Sequence, residues 1–286
     1  MGRVGVGRTS TVAAMQEPPP PPLPPQPPPS GPVSFVGAVP PPPRRVWWGI
    51  GDFIWISVAG FLAAVVASVA YAVVLTLQLG RAPTADDLKG AVWLITVTLV
   101  MQNGVIIAGT VFVSRWKGRG SLADFGWKWR VPARNLLWVL VGAGLQFVLN
   151  LVLIPLSLLL KGDQQQTVVE ALKSSVSFGL VVALLGVVLV APFTEELLFR
   201  GVLLRSLQRR LRPGPAVAIS AVVFAAVHVL GDPSVGSTVA LPALFAVGVI
   251  CGMRAVRTGS IQQSVCIHVG FNLWTAIALL VAAATR

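Results

Sequence analysis

About seven apolar stretches, each near or beyond the ~20 residues that carry a helix across a hydrocarbon core, leave this chain few ways to fold. They cover approximately 51–79, 90–113, 135–160, 177–207, 214–230, 236–255 and 259–283. Inside a bilayer every backbone N–H and C=O needs a partner within the protein, and long apolar runs meet that demand as helices. Composition agrees: with 55% hydrophobic and 11% charged residues among 286, and a mean hydropathy of +0.78, a soluble domain could not cover its own surface. The expected fold class is all-α, a polytopic transmembrane helix bundle.

The chain before residue 46 differs in kind. Proline dominates from Pro18 to Pro43, with runs at Pro18 to Pro22 and Pro40 to Pro43. Such a composition favours solvated polyproline II and builds no core. Residues 1–45 are therefore expected to form a disordered, Pro-rich cytoplasmic tail, an extended tether whose PxxP-like segments are short enough to arise by chance. No apolar stretch of signal-peptide length follows the early arginines, so a cleaved secretory signal is not expected. Residues 46–286 then form the transmembrane domain, entered past the interfacial pair Trp47 and Trp48.

A net charge of +12 could point to nucleic acid, but the basic residues sit at the ends of apolar runs and gather on no single face or arm. With the N-terminus in the cytoplasm, inner loops receive Arg115, Lys117, Arg119, Lys128, Arg130 and Arg134, then Arg205, Arg209, Arg210 and Arg212, then Arg254 and Arg257. Outer loops and the C-terminal end keep only Arg81, Lys89, Lys161, Lys173 and Arg286. That asymmetry follows the positive-inside rule and places the C-terminus outside a cell membrane crossed several times. The stretch Gly120 to Arg134, with Phe125, Trp127 and Trp129 among basic residues, is expected to lie in the inner headgroup layer. Cys251 and Cys266 have no ligand spacing and read as small buried hydrophobes. Gln102 and Asn103 are expected to hydrogen-bond between helices. Asp52 stands at a span start.

The ionisable residues within the spans mark the functional region, because a charge at that depth is expensive unless paired or solvated. At 1.5 Å per residue, Glu195 lies about 18 Å from the inner end of the fourth span, His228 about 21 Å into the fifth and His268 about 14 Å into the seventh. Three sequence-distant groups thus fall at one level and can share a pocket open toward the cytoplasm. Glu196 and Arg200, four residues apart, share a helical face and can pair; Glu195 points about 100° away. Pro192 lacks the N–H that would bond residue 188, so the helix is expected to be perturbed one turn before the acids. Phe224 precedes His228 by one turn and reads as packing, while Asn272 follows His268 by one turn. A carboxylate beside an imidazole suits activation of water, and an imidazole beside an amide suits stabilisation of an oxyanion.

The segments Glu195-Glu196-Leu197-Leu198-Phe199-Arg200, Phe224-Ala225-Ala226-Val227-His228 and His268-Val269-Gly270-Phe271-Asn272 resemble the EExxxR, FxxxH and HxxxN motifs of the CPBP family. That family comprises type II CAAX prenyl endopeptidases, bacteriocin-processing enzymes and Abi-type proteins. The order is the same, and the motif core occupies 177–283. The resemblance implies an intramembrane glutamic endopeptidase, a hydrolase in which Glu195 with His228 activates water. By the same similarity His268 and Asn272 stabilise the tetrahedral oxyanion, and Glu196, Arg200 and Phe224 support the site. No cofactor is implied.

Two other readings fit the same residues. Glu195, His228 and His268 could supply the ligand set of a catalytic zinc ion, although no HExxH helix accompanies them. A non-enzymatic immunity or scaffold protein would use the polar cluster to bind a partner within the membrane. The expected partners are the lipid bilayer and a peptide or protein substrate, with or without a lipid modification, and no nucleic acid. An Arg-rich, Lys-poor, Ala- and Val-rich composition leans toward a GC-rich bacterium, where a peptide precursor or a membrane-associated protein is the natural substrate.

Overall fold

The computed structural model describes Gly2 and residues 47–84, 87, 92–159, 178–231 and 235–284. The chain divides into two units, Met1–Val39 and Pro40–Arg286, and every described residue except Gly2 lies in the second. The proline-rich tail, Lys89, Lys161, Lys173 and Arg286 lie outside the described residues.

All regular structure among the described residues is helical. The helices are α1 (Ile50–Leu79), α2 (Val92–Lys117), α3 (Leu137–Leu159), α4 (Phe178–Leu207), α5 (Pro213–Gly231), α6 (Val235–Thr258) and α7 (Gln262–Ala284). Six are long and apolar enough to cross a membrane, and α7, with 23 residues, extends about 35 Å at the α-helical rise. The chain is a multi-pass membrane protein, and its helices coincide within a few residues with the seven apolar stretches. Two short 3-10 turns, Leu122–Phe125 and Ala133–Leu136, lead from α2 into α3.

Charge and caps fix the ends of the first hairpin. Asp52 accepts the Gly49 N–H at 2.8 Å at the start of α1, and Lys117 at the end of α2 reaches both Asp52 oxygens, at 2.7 and 2.9 Å. Asp52 therefore holds two helix ends together, a role its position in the sequence does not reveal. At its other end α1 closes on Gly80, whose φ of 66° lies in the left-handed region and whose N–H bonds Thr76 O. Asn103, buried on α2, donates to Leu99 O at 2.8 Å within its own helix. Among the described residues it makes no interhelical bond of the kind expected of it.

The basic end of the bundle is sewn by arginine and glutamine to backbone carbonyls. Arg205 reaches Asp124 O and Gly259 O, Arg209 reaches Trp48 O, and Gln262 donates to Lys128 O and Arg130 O. These bonds draw the segment 120–136 onto the protein and alter the expected headgroup placement. Trp129 is exposed, as an interfacial residue should be, but Phe125 is completely buried against Trp48, with ring centres 4.5 Å apart. Glycine makes the burial possible: a Cβ on Gly201 would stand 2.7 Å from the Phe125 Cβ, and Gly126 takes a φ of 90°. Trp127 packs edge-on against Phe193, two residues before the acid pair.

A second close approach positions α7. A Cβ on Gly142 of α3 would overlap the Ile267 carbonyl, and one on Gly270 would overlap the Val139 carbonyl. Small residues at such a crossing let two backbones touch, which is how membrane helices associate when lipid offers no hydrophobic drive. His268 lies between Ile267 and Gly270, so this crossing sets its place.

Candidate active site

α4 carries the acids, and it is not a uniform helix. Two widened, π-type stretches, Gly186–Val190 and Leu197–Leu204, flank the six α-helical residues Ala191–Glu196. Pro192 accounts for the first. Proline has no N–H and its ring clashes with the carbonyl four residues back, so the backbone widens and Ala191 N–H bonds Gly186 O, five residues earlier. The perturbation expected at Pro192 is therefore a π-type turn. Such turns recur at functional sites.

Beyond that turn, adjacent acids face different surroundings. Glu196 is fully buried and its Oε1 lies 3.0 Å from Arg200 Nη1 and 3.0 Å from His268 Nδ1. Arg200, also buried, donates through Nη2 to Gly248 O of α6 at 3.0 Å and stacks over the Phe224 ring at 4.6 Å. The Glu196–Arg200 contact is close enough for an ion pair but is not aligned as a hydrogen bond. Arg200 Nη1 and Nε and Glu196 Oε2 have no hydrogen-bond partner among the described residues. Attraction over that short distance and contact with the aromatic face carry the charge instead.

Glu195 is about a quarter exposed, and its Oε2 lies 3.7 Å from His228 Nε2 and 3.7 Å from His268 Nε2. The sequence-predicted trio is thus brought together from α4, α5 and α7. The hydrogen bonds on the far side of each ring set its orientation. His228 Nδ1 stands 2.8 Å from Phe224 O, and a carbonyl only accepts, so Nδ1 carries the hydrogen. His268 Nδ1 meets the Glu196 carboxylate in the same way. In the neutral rings both Nε2 lone pairs then face Glu195. Three acceptors converge with gaps too long for direct hydrogen bonds, an arrangement in which one water would donate to two of the three.

Phe224 is wholly buried, and its ring lies 4.6 Å from that of His228, 5.5 Å from that of His268 and 5.1 Å from that of Phe199. It is the packing centre of the site. Asn272 sits one turn beyond His268, as expected, and its Nδ2 donates to Val187 O on α4 at 2.9 Å. No group of three or more His, Cys, Asp or Glu spaced to hold a metal ion occurs among the described residues. Besides the Phe224 carbonyl, two further participants are backbone carbonyls that side-chain reasoning passes over. Gly248 O receives Arg200 and Val187 O receives Asn272; the only hint of the second in the sequence is Pro192, which withdraws a donor.

Residues 177–274 match the family model described as type II CAAX prenyl endopeptidase, Rce1-like. The matched stretch lies in the second half of the chain and contains Glu195, Glu196, Arg200, Phe224, His228, His268 and Asn272. It is the same membrane-peptidase kinship that the three motifs imply. No curated protein and no solved structure matches the chain.

Proposed function

We propose that the protein is an intramembrane endopeptidase of the CAAX type that cuts a peptide bond in a membrane-associated protein or peptide precursor, near the inner side of a cell membrane. The observation that carries this reading is the convergence of Glu195 Oε2 and two imidazole Nε2 atoms, at 3.7 Å, beside the buried Glu196 and Phe224. Water is the donor that fits the gap. Glu195, helped by His228, takes one of its protons; the water oxygen bonds the scissile carbonyl carbon, and the carbonyl oxygen gains the negative charge. The motif resemblance assigns His268 and Asn272, both on α7, to stabilising that oxyanion, which His268 can do only as the imidazolium, because its neutral ring presents a lone pair at Nε2. When the C–N bond breaks, the departing nitrogen takes the proton held by Glu195, so the step consumes one water and leaves an acid and an amine. Glu196 and Arg200 hold His268 and α6 in place around it.

The positive-inside asymmetry supports a cytoplasmic N-terminus and an outer C-terminus, which puts the cluster within reach of the cytoplasmic leaflet. The test compares membrane proteomes of cells carrying the parent chain and Glu195→Ala. A terminus present only with the parent supports the reading; identical termini, with both proteins inserted in equal amount, end it. A zinc ion held by Glu195, His228 and His268 is the competing reading from residue type, although these residues are not spaced as a metal site among the described residues. Loss of the product on chelation and its return with zinc would replace water activation by carboxylate with metal-assisted hydrolysis.

A further inference from the structure

The strongest unexplained contact at the site is the one between Asn272 and Val187 O. In a regular α-helix that carbonyl would accept the N–H of residue 191. Here Ala191 N–H is given to Gly186 O, because the turn is widened. In the widened register the next donor in line for Val187 O is residue 192, and residue 192 is proline. Both backbone partners are therefore withdrawn, one by the π-type turn and one by the ring. A carbonyl orphaned at this depth has no water to turn to and needs a side chain. Asn272 Nδ2 supplies it at 2.9 Å, from the same helix that carries His268.

We infer that Asn272 is a positioning residue: it substitutes for the N–H missing at Pro192, pins the widened turn to one place in α4, and so fixes the rotation of Glu195 toward the two histidines. The lever is short. Glu195 follows Pro192 by three residues, and a turn that slips by one residue rotates the following backbone by about 100°. That rotation would carry the Glu195 carboxylate out of the gap. This inference rests on the peptidase reading for its effect on activity, but the link between positions 192 and 272 stands without it.

A double-mutant cycle on the full-length protein in detergent tests the link, with Pro192→Ala, Asn272→Ala and the pair. Restoring an N–H at residue 192 gives Val187 O a backbone donor in the widened register, or lets the turn relax so that Ala191 serves it. Asn272→Ala alone should lower the thermal midpoint by several degrees and reduce formation of the parent-dependent terminus on the order of a hundredfold, the scale of a misplaced reacting group. In the Pro192→Ala background the same substitution should lose most of both effects. An equal loss in the two backgrounds would overturn the inference, since an amide that acts only on substrate has no reason to sense residue 192. Should Asn272→Ala fail to insert, Asn272→Leu, which keeps much of the shape and has no donor, completes the same cycle. If no parent-dependent terminus exists, the enzymatic reading fails while the thermal cycle still decides the contact.

Discussion

α1 and α4 are both 30 residues long and nearly equal in hydropathy, 2.4 against 2.2, yet 17% of the most apolar window of α1 is buried and 44% of that of α4. Hydropathy measures whether a helix can enter the bilayer; neighbours decide whether it ends up facing lipid or protein. α1 presents Ile54, Val58, Phe61, Leu62, Val66 and Val69 outward, and the one acidic residue it holds lies at its end. α4 keeps Glu195, Glu196 and Arg200 at depths where only partners make them tolerable. Its backbone departs from α geometry at two places, and the acids stand between them. Irregularity and charge coincide where the helix is enclosed, because only an enclosed helix finds donors and acceptors to repair the irregularity.

The largest effect expected from this contrast is at Glu195. Replacing it by Gln leaves a neighbour of similar shape that cannot take a proton from water, and product formation should fall by roughly 10²- to 10⁴-fold. Insertion and thermal midpoint should change little, because the side chain is partly open. Counting the parent-dependent terminus by quantitative mass spectrometry measures it. Substitution of exposed Val66 on α1 by Leu, a change on the lipid side, should leave the product yield at the parental level.

The ion pairs of the two helices sharpen the comparison. Arg200 and Glu196 are sealed, with side chains 1% and 0% exposed, whereas Lys117 above Asp52 is 37% exposed. Arg200→Met strands a buried carboxylate and should destabilise the protein by about 3–5 kcal/mol. Lys117→Met leaves the buried Asp52 carboxylate the Gly49 N–H and the Trp55 indole, and should cost less, about 1–3 kcal/mol. Denaturant unfolding in mixed micelles measures both. Equal costs would mean that the Arg200 site is wetter than its packing against Phe224 implies.

Close backbone contact gives the next effect. Gly142→Ala places a methyl group on the Ile267 carbonyl and should cost about 1–3 kcal/mol or more as α3 and α7 separate. Gly144→Ala, two residues along the same helix, meets open space and should be neutral or slightly stabilising. Because the crossing carries His268, the first substitution should also lower product yield, and the second should not. A Gly142→Ala protein with parental stability would show that α7 is held by other contacts.

The sequence made some of this legible, for physical reasons. Helix positions follow from the length of apolar runs, and convergence of Glu195, His228 and His268 follows from arithmetic on a fixed rise per residue. Pairing of Glu196 with Arg200 follows from their spacing. What escaped depends on tertiary contact between backbones. That Phe125 is buried and not interfacial is decided by the missing side chain of Gly201, far along the chain. The anchoring of Arg200 on Gly248 O and of Asn272 on Val187 O involves carbonyls, which every residue possesses and which no residue letter distinguishes. Asp52 looks ordinary until α2 returns Lys117 to it. Pro192 marked where a donor was lost, but which side chain would replace it required the packing of α7.

The smallest expected effect lies outside the membrane, after α1, where Arg81 donates to both oxygens of Asp87 at 2.7 and 3.1 Å. The Arg81 guanidinium, followed by the Thr84 N–H and hydroxyl, holds the Asp87 carboxyl well below its ordinary 3.8. A carboxyl lowered in the folded state contributes stability that is fully present above its unfolded value and is lost as pH falls through the lower, folded value. The turn should thus be unchanged from pH 8 down to about pH 5 and should loosen only in more acidic solution, below about pH 4. Asp87→Asn removes that dependence. Because the pair is exposed, neither acid nor the substitution should alter the thermal midpoint of the membrane helices beyond error, and amide hydrogen exchange at Arg81, Ala82 and Thr84 is the measurement that reports it. A shift of the global midpoint in Asp87→Asn at pH 7 would show that this turn is coupled to the helix bundle, and the division drawn between a tolerant lipid-facing first helix and an exacting enclosed fourth would have to be redrawn.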